Sequence, residues 1–280
     1  MIVVDKEKCT RCGQCVRICH ESCMVLGEQS VSIDYALCST CTQCIAICPE
    51  TALSWDGVAP VAYDETRLPS AEQLDELFKE RRTIRRFTND KLDRTLLEEI
   101  VGYGIYAPTN NFDLRAIVVD DPAMIHALDR IILQFVARIY GLFFKPRIVF
   151  SLLRMITPAM KAKDKVKMEG DLERGSTFEQ PPAAVVFIVG DRRIALSEPS
   201  TQYALYNMIL YAQAKGIGSR LKGTGQIFLD KSRAARRRLG LHKREHILGT
   251  LELGYPAVRF RNKVRGKRLP IQWNTGQADG

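Results

Sequence analysis

No cysteine follows Cys48, although the chain has 280 residues and nine cysteines. A secreted disulfide scaffold spreads its cysteines through a short chain, so their crowding at one end of a long chain favours metal ligation instead. The chain also lacks the run of about 20 apolar residues that a membrane-spanning helix requires. Its longest window without a formal charge spans positions 199–214, which is shorter than that run and includes Gln202, Asn207 and Gln213.

The N-terminus lacks an apolar signal region, because charged residues occupy positions 5 to 8. We therefore expect a cytoplasmic protein without a secretory signal. Hydrophobic residues make up 46% of the chain and charged residues 26%, a balance typical of soluble globular proteins. The length suffices for one large domain or two smaller ones.

The net charge of +9 is unevenly distributed. Residues 1–66 carry four basic and nine acidic side chains, a net charge of −5, so the remainder carries +14. A basic body suits nucleic acid, an acidic protein partner, an anionic membrane or a phosphate-bearing cofactor. Alternating basic residues over 259–267 contain one aromatic residue, Phe260. Because nucleic-acid surfaces usually interleave several aromatics, we do not expect nucleic-acid binding.

Eight of the nine cysteines form two runs of the pattern C-x-x-C-x-x-C-x-x-x-C, at 9–19 and 38–48. This spacing lets a tight loop bring three thiolates to one iron–sulfur cubane, while the fourth ligand comes from elsewhere. Structural zinc is the alternative, but it uses two C-x-x-C pairs and four ligands per ion. Two full runs of four, with identical spacing inside each run, favour iron–sulfur clusters.

The first run departs from the second. His20 stands where the second run has Pro49, and Cys23 is a ninth cysteine four residues after Cys19. If a helix continued through this segment, Cys23 would share the face of Cys19. Cys23 is then a spare ligand, a redox-tuning group or a buried free thiol, and we favour the buried thiol.

The two runs, over about the first 57 residues, resemble two-cluster bacterial ferredoxins, in which the fourth cysteine of each run ligates the other cluster. The resemblance implies two [4Fe–4S] clusters. One set of ligands is Cys9, Cys12, Cys15 and Cys48, and the other is Cys38, Cys41, Cys44 and Cys19. Gly57, Pro60 and Pro69 indicate an exposed connector. We therefore place a ferredoxin-type domain at 1–60 and a second domain at 61–280.

The second domain mixes helices and strands. Ser70 and Gln73 form a capping-box signature before one helix, and Asp93 begins another that stops before Pro108. Apolar runs predict buried strands over 115–120, 181–190 and 246–256, and a long helix over about 198–215 that ends at Gly216. Because regular β-α-β alternation is absent, we expect an α+β layer fold.

Arg81, Arg82 and Arg85 surround Thr83 in the segment RRTIRRF. Guanidinium groups and a hydroxyl suit a phosphate, although such a cluster alone is more often a solvated surface. The order of RRTIRRF, a helix, APTNNF, a strand, a long helix ending in AKGIGSR and a strand ending in ELGYP resembles the nitroreductase family of FMN enzymes. The resemblance covers roughly 70–122 and 180–280, and it implies a mixed sheet flanked by helices.

The resemblance also implies which residues bind FMN. Its phosphate and ribityl chain are assigned to Arg81, Arg82, Thr83 and Arg85, with Arg268 as a late phosphate contact. The isoalloxazine is assigned to Pro108, Thr109 and Asn111, and the glycine turn to Gly216, Ile217, Gly218 and Ser219. The sequence from Asn111 to Arg115 departs from the family's usual Asn-x-Gln-Pro-Trp run, so the substrate-facing wall is expected to differ.

The family resemblance implies a homodimer with FMN at the subunit interface. A Rossmann nicotinamide site is unsupported because no complete G-x-G-x-x-G follows a strand, and no catalytic residue is assigned. The segment at about 123–178 is a predicted helical insert, with nine basic and four acidic residues over 138–174. It suits a lid over the flavin or contact with an anionic membrane surface, and we favour the lid.

These observations predict an FMN-dependent oxidoreductase with iron–sulfur electron input. Electrons would come from an external donor such as a ferredoxin or flavodoxin and reach a small conjugated acceptor, such as a nitroaromatic, a quinone or an activated alkene. One alternative is an electron-transfer or redox-sensing protein without an organic substrate. Another is an FMN enzyme that resembles reductive dehalogenases.

Overall fold

A computed structural model describes residues 1–108, 113–156, 162–266 and 268–273. It contains two small antiparallel sheets from the N-terminal cysteine region and a four-stranded sheet from the remainder of the chain. Helices lie beside the larger sheet, so the predicted α+β class is confirmed. Within the described segments, every helix is too short or too polar to span a lipid bilayer.

The N-terminal domain consists of two interlocked repeats. The first repeat contains β1 (Ile2–Val4), α1 (Gln14–Ile18) and β2 (Met24–Leu26), and the second contains β3 (Val31–Ile33), α2 (Gln43–Ile47) and β4 (Leu53–Trp55). The offset between corresponding elements is constant, so Ile2 corresponds to Val31 and Gln14 to Gln43. Strand β1 pairs with β4 and β2 pairs with β3, so each repeat completes the sheets of the other.

The cysteine loops share a strained backbone. Arg11 and its counterpart Thr40 have φ angles of 59° and 55°, and Gly13 and its counterpart Thr42 have φ angles of 72° and 61°. A left-handed conformation costs a residue with a Cβ about 1–2 kcal/mol. Three of these four residues have a Cβ, so surrounding interactions must stabilise the same tight turn in both repeats.

The remainder of the chain, called the body below, is built on a sheet with the strand order β5-β6-β8-β7. The strands are β5 (Leu114–Val119), β6 (Ala184–Gly190), β7 (Gly218–Leu221) and β8 (His246–Gly254), and their pairings are antiparallel. Strands β5, β6 and β8 correspond to the three strands that the sequence predicts. A parallel bridge between Thr83 and Ser219 extends the sheet beyond β7.

Seven helices of the body are described: α3 (Ala71–Glu80), α4 (Arg94–Gly102), α5 (Pro122–Ile139), α6 (Arg147–Ile156), α7 (Ala162–Arg174), α8 (Ser197–Ala214) and α9 (Arg233–Arg238). The capping box of Ser70 and Gln73 is present at α3, and Asp93 caps α4. Gly216 follows α8 with a φ of 75°, as a helix-terminating glycine does.

The sheet is covered by helices on both faces. Along β6, Val186 and Ile188 pack in the core formed with α4 and α8, while Val185 and Phe187 pack in the core formed with α5. Alternating side chains of one strand therefore enter two different cores, which explains why β6 is apolar throughout. Helix α5, from the segment predicted as an insert, belongs to the second core.

Candidate functional site

The thiols of the first implied ligand set lie together in the N-terminal domain. Cys9, Cys12, Cys15 and Cys48 line one small cavity. The first three come from the first run, and Cys48 ends the second run. The fourth cysteine of the second run thus lies with three cysteines of the first run, which is the crossed grouping that the ferredoxin resemblance implies.

The second set shows the reciprocal arrangement. Cys44 on α2 interacts electrostatically with Cys41 and Cys38 of its own run. Cys19, the last cysteine of the first run, has its Sγ 3.4 Å from Cys23 Sγ, and Cys23 also interacts electrostatically with Cys38. Cys19 therefore lies beside the second run rather than with its own.

These thiols fit cubane clusters. Burial raises the pKa of Cys15, and it raises the pKa of Cys44 to about 11. Buried thiolates need nearby positive charge. Bound metal ions supply that charge, and they thereby favour loss of the proton from each thiol ligand. Within the described ranges, no three His, Cys, Asp or Glu side chains group as ligands of a single metal ion. A cubane instead binds one thiolate at each of its four irons.

Cys23 is 3% exposed, in agreement with the favoured interpretation of a buried thiol. Helix α1 ends at Ile18, before Cys19, so the condition under which the two cysteines would share a helix face is not met. They meet because the chain turns after Cys19 and enters β2 at Met24. Burial, followed by the hydrogen bond with Cys19, raises the pKa of Cys23 to about 12.

The arginine motif lies beside the glycine turn. The N–H of Ile84 donates to the carbonyl oxygen of Ser219 at 3.0 Å, and a Cβ added to Gly218 would lie 2.8 Å from Ile84. Ile84 and Phe87 are buried, whereas Arg85 between them is exposed. The apolar residues anchor the motif to the sheet, and this anchoring presents Arg85 at the surface.

A cavity of about 360 Å³ opens beside this junction. Its size is within the range of small-molecule sites. Arg85 contributes one wall and the end of β7 another, while α5 and α7 close a third side. The described lining consists of Arg85, Val136, Val166, Lys167, Gly170, Asp171, Arg174, Thr177, Glu179 and residues 220–224.

Charged side chains are buried behind this cavity. Arg220 pairs with Glu252, which is 0% exposed, and Lys222 Nζ lies 3.3 Å from Glu252 Oε1. Lys222 Nζ also lies 3.8 Å from Asp129 Oδ1 and donates to Thr177 Oγ1 at 2.6 Å. Two cations thus balance two carboxylates. Burial lowers the pKa of Lys222, although Glu252 and Asp129 oppose that effect.

Arg220 provides a test of whether the cavity suits an anionic cofactor. Its Nη2 is buried without a hydrogen-bond partner within the described part of the chain. An unpaired buried donor costs about 1–3 kcal/mol, so this guanidinium is suited to bind an oxygen of a ligand. With Arg85, Lys167 and Lys222 also in the lining, the residues fit a phosphate-bearing cofactor.

The structure brings some of the predicted flavin residues together and leaves others apart. Arg81, Arg82 and Thr83 are half-buried beside the glycine turn of 216–219, and Arg85 lines the cavity. Pro108 and Arg268 are exposed and do not belong to its described lining. Thr109 and Asn111 lie outside the described residues.

Sequence reasoning missed Arg220, Lys222, Asp129 and Glu252. A signal was available, because Glu252 interrupts the apolar run HILGTLELG and Asp129 interrupts an apolar helix. Charged residues at core positions are rarely buried unless they are paired. Their partners are distant in sequence, so the pattern alone does not identify the pairs.

Comparisons with known proteins agree with this geometry. The nitroreductase family model matches residues 78–255, and a 4Fe-4S binding domain model matches residues 2–19, which include the first cysteine run. No curated protein matches the chain.

Solved structures with the fold of the body include a nitroreductase with bound FMN from Bacteroides fragilis NCTC 9343. It is 20% identical, with a TM-score of 0.52 over 71% of this chain and 99% of its own. A nitroreductase with bound FMN from Desulfitobacterium hafniense DCB-2 is 17% identical, with a TM-score of 0.52 over 70% and 97%. Iodotyrosine deiodinase bound to FMN and 3-iodo-L-tyrosine is 18% identical, with a TM-score of 0.52 over 72% and 99%.

Proposed function

The chain belongs to the nitroreductase family, and we propose that it passes electrons through two [4Fe–4S] clusters to FMN and then to a small conjugated acceptor. The acceptor class comprises nitroaromatics, quinones and activated alkenes. The observation that carries the proposal is that one chain combines two crossed sets of cysteines with a cavity lined by cationic side chains beside the arginine motif. We place the protein in the cytoplasm, where thiols remain reduced.

The body contributes binding, orientation and charge. Arg81, Arg82, Thr83 and Arg85 are proposed to hold the phosphate end of FMN, because they follow α3 and pack beside the glycine turn. Arg220 and Lys222 would face polar atoms of the cofactor from the end of β7. When bound, clusters supply single electrons and FMN supplies two-electron reduction of an organic molecule.

Helix α7 is proposed as part of a lid. Val166, Lys167 and Gly170 on this helix line the cavity, together with Val136 of α5. Thr177, which follows α7, is tied to Lys222 and to Asp129 of α5 by hydrogen bonds. This arrangement favours a cover that excludes water from the cavity over a helix that lies on a membrane surface.

Membrane-surface contact remains the alternative for α6. Ile148, Leu152 and Met155 are exposed at helical spacing on α6, although α7 is the helix that lines the cavity. Co-sedimentation with anionic liposomes tests this alternative. Without such contact the protein stays in the supernatant, whereas binding that is lost in Leu152→Glu would show membrane contact through α6.

A homodimer is proposed because apolar surface remains exposed on the long central helix. Tyr203 and Tyr206 on α8 are 52% and 44% exposed, and Ile105 and Tyr106 are 57% and 74% exposed. Large exposed aromatic side chains are typical of protein interfaces. One chain has a mass of 31.6 kDa, and sedimentation equilibrium should give twice that mass.

Anaerobic reconstitution tests the proposed function directly. The full chain should bind about eight irons and one FMN. After reduction with dithionite, addition of a nitroaromatic, a quinone or an activated alkene should reoxidise the flavin. Arg85→Ala should weaken FMN binding by at least about tenfold while leaving the iron content unchanged, because a charged hydrogen bond contributes about 1.5–3 kcal/mol. Arg233→Ala, at an exposed position on α9, is the matched control.

Two other functions give different results in this experiment. An electron-transfer or redox-sensing protein would reduce and reoxidise its cofactors with protein partners but with none of the organic acceptors. A dehalogenase-like enzyme would release halide from a halogenated aromatic, the class of ligand bound by the iodotyrosine deiodinase with which the body shares its fold. A reconstituted chain that holds neither iron nor flavin would contradict the whole proposal.

A further inference from the structure

The two cysteine repeats offer an internal comparison at Cys23. Its counterpart in the second repeat is Ala52, and both side chains are 3% exposed. Other buried positions of the repeats also correspond, including Ile2 with Val31 and Cys15 with Cys44. At this buried position the first repeat therefore has a thiol where the second has a methyl group.

Both positions supply a backbone hydrogen bond to a run-ending cysteine. The N–H of Ala52 donates to Cys48 Sγ at 3.3 Å, and the backbone of Cys23 likewise forms a hydrogen bond with Cys19. Both run-ending cysteines thus receive the same type of main-chain donor. The side-chain thiol of Cys23 is an additional group, 3.4 Å from Cys19 Sγ, and it has no counterpart at Ala52.

The direction of this additional hydrogen bond follows from ligation. A cysteine bound to iron carries no proton, so Cys19 and Cys38 can only accept once they are ligands. The hydrogen between Cys23 and Cys19 then belongs to Cys23. Cys19 and Cys38 both belong to the second ligand set. The Cys23 thiol therefore acts on the second-set cluster alone, and the first-set cluster has no equivalent donor.

We propose that Cys23 donates a hydrogen bond to the ligand sulfur of Cys19, and that this bond raises the reduction potential of the second-set cluster above that of the first-set cluster. This inference rests on the two-cluster proposal. Reduction adds negative charge to a cluster, and hydrogen bonds to its sulfurs stabilise that charge. The cluster beside Ala52 lacks this stabilisation. The thiol thus acts as a tuning residue, and it contributes to making the two electron sites unequal.

A redox titration followed by electron paramagnetic resonance tests this inference on the full, anaerobically reconstituted chain. Wild type should show two midpoint potentials. Cys23→Ala, which copies the second repeat, should lower the higher potential and leave the lower one unchanged. A hydrogen bond of ordinary strength changes the reduction equilibrium about fivefold, which is about 40 mV for one electron.

Two further variants separate tuning from packing. Cys23→Ser keeps a donor of similar size, so it should restore the higher potential that Cys23→Ala loses. Ala52→Cys installs the thiol at the matching position, so it should raise the lower potential towards the higher one. Iron content, measured on each variant, should remain at about eight per chain.

The outcomes distinguish this inference from the proposed function. Eight irons and unchanged midpoint potentials in Cys23→Ala would overturn the tuning role while leaving the two-cluster proposal intact. A Cys23→Ala shift that Cys23→Ser fails to reverse would assign the effect to packing and overturn the hydrogen bond. About four irons in wild type would overturn the two-cluster proposal and this inference together.

Discussion

The N-terminal domain and the body bury their interiors in different ways. The N-terminal domain packs a few apolar side chains, including Ile2, Met24 and Leu53, among its cysteines. The body packs two apolar cores against opposite faces of one sheet. A domain of about 60 residues is only marginally stable without a metal or disulfide. Cluster binding should therefore contribute to folding of the first region, whereas apolar burial is sufficient for the second.

Removal of a cluster ligand should have the largest effect on this comparison. Cys44→Ser replaces a buried ligand on α2, and we expect it to release about four irons and to unfold residues 1–60. Iron analysis and limited proteolysis measure these losses. The body should stay folded and keep its FMN, because its cores do not include the cysteines.

Cys23→Ala is the matched control for that experiment, since it removes a buried thiol that is not a proposed ligand. It should retain all of the iron. If the body and the N-terminal domain of Cys44→Ser were equally sensitive to protease, the proposed difference in what stabilises the two regions would be contradicted.

The stability of the body should be most sensitive to substitutions among its buried charged side chains. Lys222→Met leaves Asp129 and Glu252 with less positive charge in a buried site, so it should lower the free energy of unfolding of the body by about 3–5 kcal/mol. Denaturant titration of the body signal measures the loss. Cluster content should not change, because Lys222 belongs to the body.

Lys231→Met removes the same charge from an exposed position and serves as the control. It should change the stability by no more than about 0.5 kcal/mol. If Lys222→Met had an equally small effect, the buried network would not contribute to the stability of the body.

The start of the body should be stabilised by its helix cap. Ser70→Ala removes the hydroxyl that accepts from the Gln73 N–H at 3.3 Å, and we expect it to cost about 1 kcal/mol. Ser70→Asp retains an acceptor and should preserve stability. Thermal unfolding of both variants, followed by circular dichroism, measures the difference, and equal midpoints would contradict the role of the cap.

The smallest expected effect depends on pH. Hydrogen bonds from Arg115 hold the pKa of Glu245 below its usual value of about 4.3. The pair therefore stabilises the body above that pH, and the contribution is lost as the pH falls through the lower, folded-state pKa. Arg115→Met should cost up to about 1 kcal/mol at pH 7 and less at acidic pH.

Arg233→Met removes an arginine from an exposed position on α9 and is the control for this measurement. Its effect should be small at both pH values. A penalty in Arg115→Met that stayed constant, or grew, as the pH fell would show that the ion pair with Glu245 is not the cause.

Local patterns predicted many of the elements correctly. The helix caps at Ser70 and Asp93, the strands β5, β6 and β8 and the glycine after α8 all lie where the sequence places them. These features depend on neighbouring residues, so periodicity and capping chemistry are sufficient to find them. The assignments of Pro108 and Arg268 to the flavin site rest on resemblance and not on local chemistry, and they stay predictions.

The position of α5 and the environment of Cys23 were not predictable in the same way. The segment from about 123 to 178 was predicted as a helical insert without a packing partner in the sheet, and Ile125, Leu128 and Ile132 pack in one core with residues of the sheet. Cys23 would share the face of Cys19 only if a helix continued through the segment, but α1 ends first and a turn brings the two sulfurs together. An apolar face in the sequence predicts that a helix is buried, but it does not identify the element against which the helix packs.

The sequence by itself determined the cysteine spacing, the helix ends and the strands, because each depends on residues close together in the chain. Tertiary structure alone decided which thiols meet across the two repeats and which cations face Glu252 from a neighbouring strand. It also placed Cys23 beside Cys19 and Cys38, while its counterpart in the second repeat is Ala52. The physical reason is that burial and charge pairing depend on distance in space, which sequence separation does not specify.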